Sequence, residues 1–159
     1  MHIRLMTHAD LPKAAAIHHE AFVRQQRSYE WLECNLNAAP RFLNFVAESD
    51  GDILGFITWT QKSGFRADAV LDLELLAVAS HAQGKGVGRS LIEQSLPQVR
   101  TLHAEQGSTL KHIMVNTRAD NFAQTLYKKT LGAEVEVTIP DLYSADEVIM
   151  IARYVDGKT

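Results

Sequence analysis

The sequence predicts one domain of the α/β class, and three observations predict it. The chain has 159 residues, inside the ~100–200 residues of a typical single domain. Two β-prone runs flank an Asp50-Gly51 turn. A hydrophobic strand then passes through three closely spaced glycines into a long run of helical periodicity.

The elements follow in chain order. Ile3 and Leu5 alternate with Arg4 and Met6, a short strand that runs into a helix with Asp10 at its N-cap, Pro12 in its first turn and its end near Phe22. Tyr29 to Asn37 is a second helical stretch; Trp31, Leu32 and Leu36 are spaced for one buried face, and Pro40 closes it. Asn44 to Glu48 and Ile53 to Trp59 form the hairpin around Ser49-Asp50-Gly51-Asp52. The polar stretch Lys62 to Asp68 leads to a strand over Val70 to Val78, with Leu71, Leu73 and Leu75 on one face and Asp72, Glu74 and Leu76 on the other. Val87, Leu91, Ile92, Leu96, Val99 and Leu102 mark a helix from about Gly86 to Gln106, with a kink expected at Pro97. A strand at His112 to Thr117, a helix from Asn121 to Leu131 stopped by Gly132, and strands at Ala133 to Thr138 and Glu147 to Tyr154 complete the chain.

Composition excludes several classes. Hydrophobic residues make up 46% and charged residues 22%, with 9 Gly and 4 Pro, so disorder and collagen-like repeats do not fit. Sixteen Lys and Arg against nineteen Asp and Glu leave a formal charge of −3, too little positive field for nucleic acid binding. No run approaches the ~18 apolar residues of a membrane span, and no secretory leader pattern opens the chain, so no membrane partner and a cytoplasmic location are expected. Cys34 is the one cysteine; without a partner for a disulfide or a nucleophilic pair it reads as a buried or half-buried thiol. His18-His19-Glu20 resembles the start of a zinc motif, but Val23 stands where the second ligand would fall, and no metal is expected. Trp31, Phe42, Trp59 and Phe65 read first as core and second as lining for an acceptor pocket.

The chemistry concentrates in Leu76-Ala77-Val78 and the turn Gln83-Gly84-Lys85-Gly86-Val87-Gly88-Arg89-Ser90. A helix N-terminus offers unpaired N–H groups and the positive end of the macrodipole, and glycines let oxygen atoms approach the backbone. A diphosphate suits such a cradle. Arg89 occupies the third glycine position of the dinucleotide fingerprint, and Lys85 is followed by Gly86 where a Walker A loop needs Ser or Thr, so neither nucleotide motif applies. A tight strand-to-helix connection without a ligand is the plain alternative.

On these residues the chain resembles the GNAT superfamily of acyl-CoA-dependent N-acetyltransferases. The signature Gln/Arg-x-x-Gly-x-Gly/Ala is met by Gln83 to Gly88, and the Leu-x-Val at the preceding strand end by Leu76-Ala77-Val78. Downstream, Asn121, Tyr127 and Gly132-Ala133 echo the family's Asn, Tyr and Gly-Phe pattern. Tyr127 stands six residues after Asn121 and five before Gly132, one position earlier than in typical members, and Ala133 replaces the usual Phe. One residue turns a helical side chain by ~100°.

The resemblance implies a single GNAT-like domain over residues 1–159, with a mixed, mostly antiparallel sheet flanked by helices. It implies acetyl-CoA as co-substrate, its pantetheine arm pairing with Leu76, Ala77 and Val78 and its pyrophosphate on Gln83 to Ser90. The strands at Val70 to Val78 and His112 to Thr117 are expected to splay, with the thioester near Leu76 and Asn116. The acceptor is a primary amine of unspecified identity, and many relatives dimerise, so a homodimer belongs to the expectation. An alkylamine of pKa near ~10 needs a base; Glu74 is the first candidate, with Asp72 and Glu33 in reserve, and a solvated or ion-paired strand residue is the alternative for Glu74. A backbone N–H at Ala77 or Val78 would meet the oxyanion. Tyr127 is the candidate acid for the departing thiolate, or else an aromatic anchor of its helix. Asn116 and Asn121 are candidate cofactor or acceptor contacts, and Asn121 is equally a helix cap. The rival function is a non-catalytic acyl-CoA-binding regulator.

Overall fold

A computed structural model describes residues 1–157. Among them lie seven strands, β1 (His2–Leu5), β2 (Phe42–Ser49), β3 (Asp52–Gln61), β4 (Asp68–Val78), β5 (Thr109–Arg118), β6 (Glu134–Ile139) and β7 (Glu147–Arg153). They form one sheet in the order β1-β2-β3-β4-β5-β7-β6. Pairing is antiparallel for β1 with β2, β2 with β3, β5 with β7 and β6 with β7, and parallel for β4 with β5. The helices are α1 (Leu11–Ala21), α2 (Ser28–Asn37), α3 (Val87–Glu105) and α4 (Ala123–Leu131). Every expected element is present within a few residues of its expected bounds. Short 3-10 turns at His8–Asp10 and Ser80–Ala82 are additions that periodicity does not reveal. No helix among the described residues is long and apolar enough to cross a membrane.

The chain divides into two compact units. The first comprises Met1–Thr60 and Leu75–Val99. Its hairpin turns through Asp50 and Gly51 at φ 50° and 78°, the two left-handed residues that a type I′ connection requires. Phe45, Val46, Phe56, Ile57, Leu91 and Ile92 are fully buried, and the Trp59 indole N–H donates to Ser95 Oγ at 2.9 Å, so Trp59 is core. Asp10 is the N-cap residue of α1, but its carboxylate accepts the Arg4 guanidinium at 2.8 and 2.9 Å and the Thr7 N–H at 2.8 Å instead of a helix amide. Arg4 also reaches Glu48, which ties β1, β2 and the start of α1 together.

Two expectations about α2 need correction. Its buried stripe is Ser28, Leu32 and Asn35, whereas Trp31 is 48% exposed and Leu36 half-buried. Trp31 stands ~100° round the helix from Leu32 and so leaves the stripe. Cys34, ~200° from Leu32, is exposed for the same reason. Phe65, in the polar connection before β4, is exposed too, and Phe42 is half-buried.

The second unit comprises Gln61–Glu74 and the chain from Arg100 onward. One face of its strands is closed: Leu71, Leu73, Ile113, Val115, Val148, Met150 and Ala152 are buried. The alternation on β4 is regular, with Ala69, Leu71, Leu73, Leu75 and Ala77 buried between half-exposed neighbours, as expected. Asp156 fastens the segment that follows β7 by accepting Arg100 Nε at 2.8 Å and the Leu110 N–H at 2.7 Å. α3 continues through Pro97 as one 19-residue helix.

Candidate active site

The first unit carries the end of β4 and the glycine turn. The Ala79 N–H donates to Leu54 O at 2.8 Å. Gly55 is what permits this approach, since a Cβ there would lie 2.6 Å from Ala77 O and 3.2 Å from Leu91 Cδ1. Leu76 and Val78 are half-exposed and Ala77 is buried. The Ser80–Ala82 turn is held from outside: the Ser80 N–H donates to Glu20 Oε1 at 3.1 Å, and His81 Nε2 lies 3.5 Å from Asp52 Oδ2. Gln83 Nε2 donates to Val78 O at 3.3 Å, so the side chain that opens the motif links it to the strand end.

Gly84 and Gly86 take φ 74° and 79°, left-handed values that L side chains rarely adopt. A Cβ at either would meet no atom within 4 Å, so conformation requires the glycines and the space beside them is open. The Ser90 N–H donates to Gly86 O at 3.0 Å and begins the ladder of α3, which leaves the amides of Val87, Gly88 and Arg89 ahead of it. Val87 is buried and anchors the helix start, while Gln83, Gly84, Lys85, Gly86 and Arg89 are exposed. Arg89 Nε pairs with Glu93 Oε1 at 2.8 Å. The turn therefore combines helix-start amides and the macrodipole with open space beside its glycines, and carries two exposed cations, Lys85 and the Glu93-paired Arg89, a donor set that fits a diphosphate.

The remaining candidates, Glu33 excepted, lie in the second unit. The parallel β4–β5 ladder closes with Asp72 opposite Met114, although both strands continue beyond that pair. Glu74, half-buried, follows on the same face as Asp72. Burial pushes the Asp72 carboxyl up, and Lys62, 3.6 Å away, draws it back. Asn116 is exposed on β5 opposite Ile149. Asn121 Oδ1 accepts the Ala123 N–H at 2.9 Å, an Asx turn one residue ahead of Phe122, the N-cap of α4. Tyr127 is buried, and burial pushes its phenol up to about 12. Its main-chain carbonyl accepts the Ala133 N–H at 3.3 Å around the left-handed Gly132, a helix stop that holds Tyr127 in the last turns of α4. Glu33, the reserve carboxylate, is half-buried on α2 in the first unit.

Glu147 opens the last strand as expected, but its sequence neighbours give no sign of its burial. It closes the polar run Ser144-Ala145-Asp146, and the apolar alternation of β7 begins only after it. In the fold it is buried opposite Arg118, and burial raises its carboxyl while Arg118 lowers it. No group of three or more potential metal ligands gathers among the described residues.

Comparison with known proteins supplies the class. A family model described as Acetyltransferase (GNAT) family matches residues 9–133, and the chain belongs to that family. It is accordingly an acyl-CoA-dependent N-acetyltransferase. No curated protein sequence matches. Among solved structures, a ribosomal-protein-alanine N-acetyltransferase from Brucella melitensis is 24% identical over 96% of this chain and 99% of its own, with a TM-score of 0.71. A spermidine N-acetyltransferase from Vibrio cholerae is 19% identical over 97% of this chain and 95% of its own, with a TM-score of 0.75. An aminoglycoside 6'-N-acetyltransferase complexed with coenzyme A is 14% identical over 97% of both chains, with a TM-score of 0.76. These likenesses extend the shared fold over nearly the whole chain.

Proposed function

We propose that the chain transfers acetyl from acetyl-CoA to a primary amine, with the donor held by the end of β4 and the turn before α3. The observation that carries this reading is the pair of left-handed glycines, Gly84 and Gly86, leading directly into a 19-residue helix. The amides of Val87, Gly88 and Arg89 bind the diphosphate, with Lys85 and Arg89 adding charge. Leu76, Ala77 and Val78 offer main-chain groups to the pantetheine as an added strand. An N–H at Ala77 or Val78 receives the oxyanion.

In the transfer, the amine nitrogen attacks the thioester carbonyl carbon and the carbon–sulfur bond breaks. Before the attack Glu74 accepts a proton from the ammonium, directly or through water; as the carbon–sulfur bond breaks Tyr127 gives its phenolic proton to the thiolate, and the proton lost by the acylated nitrogen restores the phenol. An ordinary phenol is already protonated at neutral pH, as an acid requires; burial, which pushes Tyr127 up to about 12, holds that proton in place and makes it the weaker donor. Asn116 contacts donor or acceptor, and Asn121 supports the start of α4. The related folds act on protein alanine, an aminoglycoside and spermidine, all amines, which supports an amine acceptor here. Incubation with acetyl-CoA and a panel of small amines and peptides, read as free thiol, is expected to give acceptor-dependent release; a rate that no acceptor raises would contradict the proposal.

A further inference from the structure

We propose that Glu20, the next-to-last residue of α1, is a positioning residue for the diphosphate turn, and that it acts by holding the Ser80 amide. The inference rests on the cofactor seat proposed above and adds the contact that shapes it. Between β4 and the first glycine the protein uses its own polar groups. The Ala79 N–H donates to Leu54 O at 2.8 Å, the Ala82 N–H to Ala79 O at 2.9 Å and Gln83 Nε2 to Val78 O at 3.3 Å. The Ser80 N–H is held by a side chain 60 residues away, Glu20 Oε1 at 3.1 Å. Past Gln83 the turn has little around it: a Cβ on Gly84 or Gly86 would meet no atom within 4 Å. Its shape is therefore set by its two ends. Buried Val87 fixes the far end, and buried Ala79 and Ala82 with the Ser80–Glu20 bond fix the near one.

Electrostatics shows that the bond, and not the charge, is what Glu20 contributes. A carboxylate in the last turn of a helix meets the negative end of the macrodipole, and Glu20 lies in the last turn of α1. It also stands beside a turn that is to receive an anionic diphosphate. Both placements disfavour a negative charge, so its place there is accounted for by geometry. The same helix braces the connection a second time. Lys13 lies on the same face of α1 as Glu20, about 10 Å back along the axis. It donates to Gly51 O at 3.3 Å and pairs with Asp52 at 3.2 Å, and the other Asp52 oxygen lies 3.5 Å from His81 Nε2. Ser80 and His81 are thus tied to the two ends of one helix face. The His18-His19-Glu20 run divides accordingly, His18 to the core and Glu20 to the turn.

The test compares Glu20→Ala, which removes the acceptor, with Glu20→Gln, whose amide oxygen accepts the same bond without the charge. In the free ¹⁵N-labelled protein the amide resonances of Gly84 to Arg89 are expected to move in Glu20→Ala and to stay near their wild-type positions in Glu20→Gln. Calorimetry is expected to show coenzyme A bound about 3- to 10-fold more weakly by Glu20→Ala, and at least as tightly as wild type by Glu20→Gln. The KM for acetyl-CoA is expected to follow the same order while kcat holds. Wild-type affinity in Glu20→Ala, affinity in Glu20→Gln as poor as in Glu20→Ala, or a shift confined to Ser80 overturns the proposal. Failure of coenzyme A to bind the wild type, with the shifts in the free protein intact, counts against the cofactor seat alone.

Discussion

Gly86 holds φ 79°, where a side chain costs ~1–2 kcal/mol before any ligand is considered. Gly86→Glu adds to that cost a negative charge beside the amides proposed to meet the diphosphate. Calorimetry is expected to show coenzyme A binding lost in this variant while circular dichroism reports a folded protein; retained affinity would place the cofactor elsewhere. Tyr127 makes the complementary case. If its phenol protonates the thiolate, Tyr127→Phe slows turnover by ~10²–10⁴-fold and leaves coenzyme A affinity intact. Full activity in Tyr127→Phe would return Tyr127 to a packing role, which its burial also suits.

Among the elements, β4 shows why part of the fold was readable in advance. Its alternation of buried and half-exposed residues is written in Leu71, Leu73 and Leu75, because a two-residue period leaves no other solution for a strand with one closed face. The hairpin was equally legible, since Asp50 and Gly51 suit a turn with two left-handed residues. The stripe of α2 was misassigned because neighbouring apolar residues, Trp31 and Leu32, admit more than one helical face, and only the packing partner selects between them. Gly55 belongs to the same class of hidden constraint: nothing in its sequence neighbours announces that β4 passes within van der Waals reach. Gly55→Ala puts a Cβ 2.6 Å from Ala77 O and is expected to cost ~1–3 kcal/mol. Thermal melting should fall by ~2–4 °C per kcal/mol, and an unchanged midpoint would contradict the close approach of β3 to the end of β4.

At the scale of the whole molecule, buried histidines set the response to acid. His18, fully buried with Nδ1 2.7 Å from Ser28 Oγ, and His103 are both held below the ordinary 6.5, chiefly by burial. The unfolded chain therefore binds protons that the folded chain refuses, and stability falls as pH drops below 6.5 toward the folded values. Asp72 and Glu147, raised above 3.8 and 4.5 by burial, have the opposite sign, favouring the folded state in acid and losing that contribution as pH climbs through their folded values. Urea midpoints at pH 7.5 and 5.5 are expected to differ, the lower pH giving the lower midpoint; equal midpoints would mean the histidines do not dominate that window.

The site itself was legible in unequal parts. The glycine turn declares itself because its chemistry is main-chain chemistry, and the residues that permit such conformations are few. Side chains that meet across strands, such as Glu147 opposite Arg118, leave no such trace, since register and burial are properties of the assembled sheet. Titration of ¹⁵N-labelled protein with coenzyme A tests the central claim most directly. The amide resonances of residues 84–90 are expected to move together and saturate, and a ligand that saturates while those resonances stay in place would contradict it.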